Sequence, residues 1–142
     1  SVLRMKLLNV YGKAVSKNVS NCLIDWEGPS RSKIQFKTKQ FLKAFWKNHI
    51  VYEEFPVYGS LLKVDILNVT RKIAVEVHGP QHSSFNKFFH SDSRLNYLKS
   101  IKRDVQKEKW LVSNGFSLIE IYHDEIDDLS AAFISKKFNI NI

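Results

Sequence analysis

Two short runs constrain the fold more than any other part of the chain. Leu61–Leu67 (LLKVDIL) and Lys72–His78 (KIAVEVH) each alternate apolar with other residues, and only Asn68–Arg71 (NVTR) separates them. Period-two alternation marks strands, and so short a connection makes them an antiparallel hairpin. On the first strand Lys63, Asp65 and Leu67 face one side, and Leu62, Val64 and Ile66 the other. On the second, Ala74, Glu76 and His78 oppose Ile73, Val75 and Val77. A turn that pairs Leu67 with Ala74 sets Asp65 directly across from Glu76, with Cβ atoms roughly 5 Å apart. Two carboxylates at that spacing repel, so one protonates or a cation sits between them. A solvated sheet face would carry the same acids without meaning. The Gly79-Pro80 turn beside them, His82 just beyond and the apolar alternate positions favour the cation, a hard divalent ion such as Mg²⁺ or Mn²⁺.

The flanking sequence supplies the remaining elements. Ser32 is placed to cap a helix over KIQFKTKQFLKAFWKNH, with Phe41, Leu42, Phe45, Trp46 and His49 on one side. Ile50–Val57 reads as a strand joined to Leu61–Leu67 through Tyr58-Gly59-Ser60, which completes a three-stranded meander. A four-residue turn pairing Pro56 with Leu61 would set Glu54 opposite Lys63 on the Asp65 face, and Glu53 on the other face. After a polar loop over Gly79–Ser93, a helix is expected from Arg94 to Asn114, stopped by Gly115. Its buried stripe would be Leu98, Ile101, Val105 and Val112, with Asp104 and Glu108 at the edge and Lys99, Lys102 and Arg103 opposite. Phe116–His123 reads as a fourth strand and Asp124–Phe138 as a last helix. The expected order is α-β-β-β-α-β-α: an α/β domain with a mixed four-stranded sheet flanked by helices. That domain covers residues 32–142, after a basic segment 1–31 whose LRMKLLNVYGKAV is compatible with a short helix.

Charge narrows the partners. Residues 1–49 hold ten Lys/Arg against Asp25 and Glu27, so the whole formal excess of +8 lies in that third of the chain. Such asymmetry points to a polyanion. Lys39, Lys43 and Lys47 recur every four residues, and with Lys33 and Lys37 they form a candidate phosphate-contacting face. A solvated helix face would show the same ladder. Lys99, Lys102 and Arg103 are a second candidate set. No run approaches the roughly 18 apolar residues of a membrane span. The first residues do not read as a signal peptide, and the single cysteine, Cys22, suits an intracellular, cytoplasmic chain. A start at Ser is what a piece of a longer protein would show.

Glu54, Asp65, the run Glu76-Val77-His78-Gly79-Pro80-Gln81-His82 and the run Arg103-Asp104-Val105-Gln106-Lys107 together resemble the PD-(D/E)XK nuclease superfamily. Within it the chain is most similar to very-short-patch-repair endonucleases and the EDxHD homing endonucleases of phages and mobile introns or inteins. The resemblance covers roughly residues 33–126. It implies a restriction-endonuclease-like fold, Mg²⁺ or Mn²⁺, a double-stranded DNA substrate, and a catalytic set of Glu54, Asp65, Glu76, His78, His82 and Asp104. Asp65 and Glu76 would hold the metal, His82 would orient or deprotonate the attacking water, and His78 would serve the leaving 3′ oxygen. Glu54 and Asp104 would act through metal-bound waters or by fixing a histidine tautomer.

The chain departs from the pattern it resembles in three places. His78 stands where a standard member has lysine. The patch-repair branch has no acid at the Glu76 position and uses a backbone carbonyl, here Val77, as ligand. The clustered cysteines and histidines of the patch-repair zinc site are missing, which favours a homing-type enzyme over a patch-repair-like nicking one. A nuclease fold that binds nucleic acid without cutting is the alternative of another class, and a homodimer is compatible with any of these. Phe85, Phe88 and Phe89 could wedge between bases or close the core, and Trp110 could stack or pack. His49, His90 and His123 read as surface or helix-end residues.

Overall fold

The computed structural model describes residues 4–80 and 91–142, the side chains of 91–93 excepted. Strands β1 (Arg4–Leu8) and β2 (Ala14–Asn18) come first, followed by helix α1 (Lys33–Trp46). Strands β3 (Val51–Pro56), β4 (Lys63–Asn68) and β5 (Ile73–His78) precede helix α2 (Ser91–Ser113). Strand β6 (Ser117–Tyr122) and helix α3 (Ala131–Phe138) end the chain. The main sheet runs β3-β4-β5-β6, antiparallel across its first two pairs and parallel between β5 and β6. It is the expected mixed four-stranded sheet. His82, Phe85, Phe88, Phe89 and His90 lie outside the described residues.

The β4–β5 hairpin has the register that its short turn dictates, with Leu67 paired to Ala74 and Ile66 to Val75. On β5 the residues separate by parity, but along β4 they do not: Ile66 faces one core while Val64, like Leu67, faces the other, so the single face expected for Leu62, Val64 and Ile66 is broken at Asp65. Ile73, Val75 and Val77 join Leu42, Trp46, Ile66, Ile119 and Ile134 in a core on the α1 and α3 side. Ala74 and Leu67 join Tyr52, Phe55, Val64, Trp110 and Leu111 on the other. Each such large side chain contributes about 1.5–3 kcal/mol by leaving water.

The expectations for the helices are partly overturned. Ser32 does cap α1, its hydroxyl accepting from the Gln35 amide at 3.2 Å. The buried stripe, however, is Gln35, Thr38, Lys39, Leu42 and Trp46, whereas Phe45 is exposed. Helix α2 shows the larger inversion: Leu98, Ile101, Val105 and Val112 are exposed. Tyr97, Ser100, Asp104 and Lys107 are instead its half-buried positions. Among its described side chains, only those of the last turn reach apolar core, through Trp110 and Leu111. Trp110 thus packs, and its indole donates to the Leu8 carbonyl at 2.7 Å. Gly115 stops α2 as expected, in a left-handed conformation (φ +81°), with Phe116 and Gly115 amides donating back to Leu111 and Val112 at 3.0 Å. The last helix is shorter than expected: His123–Asp128 forms 3₁₀ turns, and α3 starts only after Ser130, whose hydroxyl accepts from the Phe133 amide.

The N-terminal segment is a hairpin, not a helix. Arg4 pairs with Asn18 and Leu8 with Ala14. The Asn9 carboxamide accepts from the Tyr11 and Lys13 amides, and Gly12 takes φ +84° to close the turn. Leu7 and Val19 are buried in the same core as Phe55, and Asn114 at the end of α2 accepts from the Leu8 amide at 2.8 Å.

Candidate active site

At the Asp65 end of the β4–β5 hairpin, side chains take over from the ladder. Paired residues run from Asn68–Ile73 to Ile66–Val75, and the next position brings Asp65 across from Glu76. There each carboxylate accepts from the opposite strand. The Asp65 amide donates to Glu76 Oε2 at 2.8 Å, and the Val77 amide donates to Asp65 Oδ2 at 2.8 Å. Both residues are almost fully buried, 3% and 5% exposed. The other oxygen of each meets a cation: Arg31 Nη2 lies 3.1 Å from Asp65 Oδ1, and Lys107 pairs with Glu76 Oε1. Burial, followed by the Glu76 charge, pushes the Asp65 carboxyl up to about 6, against the pull of the Val77 amide, Arg31 and Lys107.

Glu54 joins this pair by a different route from the one expected. Pro56 pairs with Lys63, not Leu61, so the connection is two residues longer and Glu54 stands opposite Asp65 itself. A shift of two residues preserves parity, which is why the expected face survived the wrong register. Glu54 has φ +54°, a left-handed conformation that costs a non-glycine residue roughly 1–2 kcal/mol. This kink breaks the alternation, so that Glu53 and Glu54 are not on opposite faces: both accept from Gln35 Nε2, at 2.9 and 3.3 Å. That double donation also fixes the amide's orientation, because a flip would aim its oxygen at two carboxylates. Burial, then the Asp65 charge, raises the Glu54 carboxyl, partly offset by Gln35 and Arg31.

Glu53 has a structural partner that removes one residue from the phosphate-contacting face. Lys39 is fully buried, its ammonium donating to Glu53 Oε1 at 3.0 Å and to the carbonyls of Asp25 at 2.9 Å and Gly28 at 2.8 Å. The ladder therefore does not present three equivalent lysines. Lys39 ties the 25–31 loop to the sheet, Lys43 pairs with Glu27, and Lys47 is exposed with Lys33 and Lys37. Lys99, Lys102 and Arg103 are exposed on α2.

His78 and Asp104 also converge here. Both line, with Arg31, Glu54, Asp65 and Lys107, an open cleft of about 850 Å³. His78 Nε2 lies 3.3 Å from Glu120 Oε1 and its ring stacks on Tyr122. Burial draws the His78 imidazole down, but the hydrogen bond and charge of Glu120, reinforced by Asp104 and Glu76, leave it above the ordinary histidine value. Of the sequence-derived set, Glu54, Asp65, Glu76, His78 and Asp104 come together, and His82 lies outside the described residues. Arg31, Gln35, Lys107 and Glu120 were assigned no role from sequence. Only Lys107 had a signal there, as the last residue of the Arg103–Lys107 motif one turn from Asp104.

Among the described residues no three His, Cys, Asp or Glu side chains form a ready metal-ligand group. The bonding explains this: each oxygen of Asp65 and Glu76 is occupied by an amide or a cation. The donors are nevertheless all hard oxygens, buried with like charges that require compensation, and Arg31 and Lys107 supply it. Such a set suits Mg²⁺ or Mn²⁺.

No family model matches the chain, and no solved structure matches it. The chain is similar to "Uncharacterized protein 033L" of Invertebrate iridescent virus 3, 29% identical over 107 residues, which is 75% of this chain and 55% of that protein. The chain thus spans about half the length of the relative it matches. No helix among the described residues is long and apolar enough to cross a membrane.

Proposed function

We propose that the chain is a divalent-metal-dependent DNA endonuclease of the homing type, a member of the PD-(D/E)XK superfamily. The observation that carries this proposal is the buried Asp65–Glu76 pair where the β4–β5 ladder ends, joined by Glu54 in a cleft with cationic side chains at its walls. A sheet has no packing reason to bury two acids at one end with a third, half-buried, beside them, and perturbed carboxylates in a cleft are characteristic of functional sites. Asp65, with Glu76 or Glu54, would hold Mg²⁺ or Mn²⁺, which when bound supplies Lewis acidity and lowers the pKa of a coordinated water.

The protein's own groups have separable tasks. Glu120 holds His78 toward its charged form, which suits it to donate a proton to the departing 3′ oxygen rather than to take one from water. Asp104 adds to the field that keeps His78 charged. Lys107 neutralises Glu76 and lies in the cleft where phosphate charge would develop. Arg103 at the cleft, and Lys33, Lys37 and Lys47 on α1, are available to duplex phosphates. His82 keeps the water-activating role drawn from its place after the Gly79-Pro80 turn.

Incubation of supercoiled plasmid with Mg²⁺ or Mn²⁺ is the direct test. Nicked or linear product that EDTA suppresses is expected. Tight DNA binding with no cleavage of any substrate under either metal would assign the chain to the non-catalytic binders.

A further inference from the structure

Arg31 occupies a position that no task above explains. Its guanidinium reaches Asp65 Oδ1 through Nη2 at 3.1 Å, and its Nε lies 3.6 Å from Glu54 Oε1. It therefore bridges the two acids that face each other across β3 and β4. The backbone on either side is anchored. Ser30 Oγ donates to Glu53 Oε2 at 2.7 Å, Lys39 holds the Asp25 and Gly28 carbonyls, and Ser32 caps α1. The side chain itself is 63% exposed, against 5% for the Asp65 side chain it covers.

The two cations of the site differ in this respect. Lys107, 15% exposed, is enclosed beside Glu76. Arg31 stands at the cleft mouth on a fixed stem, so its charge can leave without moving the fold. A divalent ion approaching Asp65 Oδ1 is repelled by the guanidinium beside it until that group moves. A planar guanidinium released beside DNA has a natural acceptor, since its fork matches two phosphate oxygens.

We propose that Arg31 is a placeholder cation, neutralising Asp65 and Glu54 until a divalent metal displaces it, after which its guanidinium binds a DNA phosphate at the cleft mouth. This rests on the metal-dependent reading of the site and adds an exchange of cations that orders the steps: metal first, then phosphate.

Mn²⁺ binding to the whole chain, followed by its spin resonance signal without DNA, tests the exchange independently of cutting. Arg31→Ala should bind Mn²⁺ more tightly by roughly 3–10-fold, the scale of one charge-assisted hydrogen bond reduced for exposure. Arg31→Lys should fall between, and Arg103→Ala, which removes the same formal charge from the cleft, should change affinity less than Arg31→Ala. With Ca²⁺ in place of Mg²⁺, Arg31→Ala should bind duplex DNA several-fold more weakly, as measured by fluorescence anisotropy. Equal Mn²⁺ affinity in wild type and Arg31→Ala overturns the placeholder role even if plasmid is cut, and so does unchanged DNA affinity. Failure of the endonuclease reading looks different: Mn²⁺ binds and responds to Arg31, yet no phosphodiester is hydrolysed. A chain that binds no Mn²⁺ in any variant overturns both.

Discussion

Replacing Lys39 by Met separates a buried structural cation from a phosphate-binding one. Methionine keeps most of the stem's volume, so the main loss is the ammonium and its three bonds to Glu53 and to the Asp25 and Gly28 carbonyls. Removing one partner of a buried pair costs about 3–5 kcal/mol, chiefly because the other charge is stranded. Glu53 is not wholly stranded, since Ser30 Oγ and Gln35 Nε2 still donate to it at 2.7 and 2.9 Å. That places the expected loss toward the lower end, about 3 kcal/mol, a large part of a stability that is typically about 5–15 kcal/mol. For a chain of this length each kcal/mol lowers the melting temperature by roughly 2–4 °C, so a fall of about 6–12 °C should appear.

Urea unfolding followed by circular dichroism gives the energy directly. Adding Glu53→Gln to Lys39→Met should restore part of it, because the leftover charge is then removed. DNA affinity measured well below the melting point should keep its salt dependence, since removing a lysine that neutralises a phosphate would cut the log–log slope by about 0.9. A stability change under about 0.5 kcal/mol, the range of an ordinary surface substitution, together with a reduced slope, would refute the buried role and return Lys39 to the phosphate-contacting face.

Asp65→Ala should abolish metal-dependent cleavage while DNA binding largely persists; retained Mg²⁺-dependent cutting by a pure preparation would sink the site assignment. Asp65→Asn should raise the melting temperature of the metal-free protein at pH 7.5 and change it much less at pH 4. The folded carboxyl is raised to about 6 by burial and Glu76; its protonation therefore favours the native state at low pH, and that support is lost as pH climbs through about 6. Melting curves with EDTA at the two pH values check the sign. Leu7→Ala should cost roughly 2–5 kcal/mol, as for a core leucine, because the first hairpin shares the core of Phe55 and Trp110; a neutral result would show the hairpin to be dispensable. His82→Ala should slow cleavage by about 10²–10⁴-fold with metal and DNA affinity nearly unchanged, and an unaltered rate in a single-turnover assay would remove His82 from water activation.

The β4–β5 hairpin was legible because a short turn leaves few registers and burial on both faces selects among them. Asp65 across from Glu76 follows from that alone. The Glu54 position was legible only by face. Its partner depended on loop length, and the left-handed twist that turns Glu53 and Glu54 toward the same glutamine has no sequence mark in a glutamate. The helices misled for a common reason. Pattern arguments assume that a helix hides its apolar side, yet most of α2 runs beside a polar cleft. There the groups worth turning inward are Ser100, Asp104 and Lys107, and Leu98, Ile101 and Val105 are left outside. In α1 the lysine spacing that suggests a solvated ladder also fits one lysine reaching into a polar interior. Nothing local distinguishes Lys39 from Lys43; the distinction comes from Glu53 and two loop carbonyls, remote in sequence.

These departures share one cause. Burying Asp65 and Glu76 beside a half-buried Glu54 concentrates negative charge where the ladder ends, and the surrounding elements are arranged to answer it. The left-handed Glu54 costs backbone energy, α2 gives up apolar burial to turn Lys107 inward, and the loop before α1 is tied by Lys39 so that Arg31 stands over Asp65. The first two are unfavourable taken alone, and strain of this kind persists where a site requires it. A solvated acidic face would have needed none of them: its carboxylates would be hydrated, α2 could have hidden its leucines, and Arg31 could have lain anywhere. The coincidence of a strained residue, an inverted helix and a pinned loop on the same carboxylates is what favours a cation-binding site over an incidental cluster of acids.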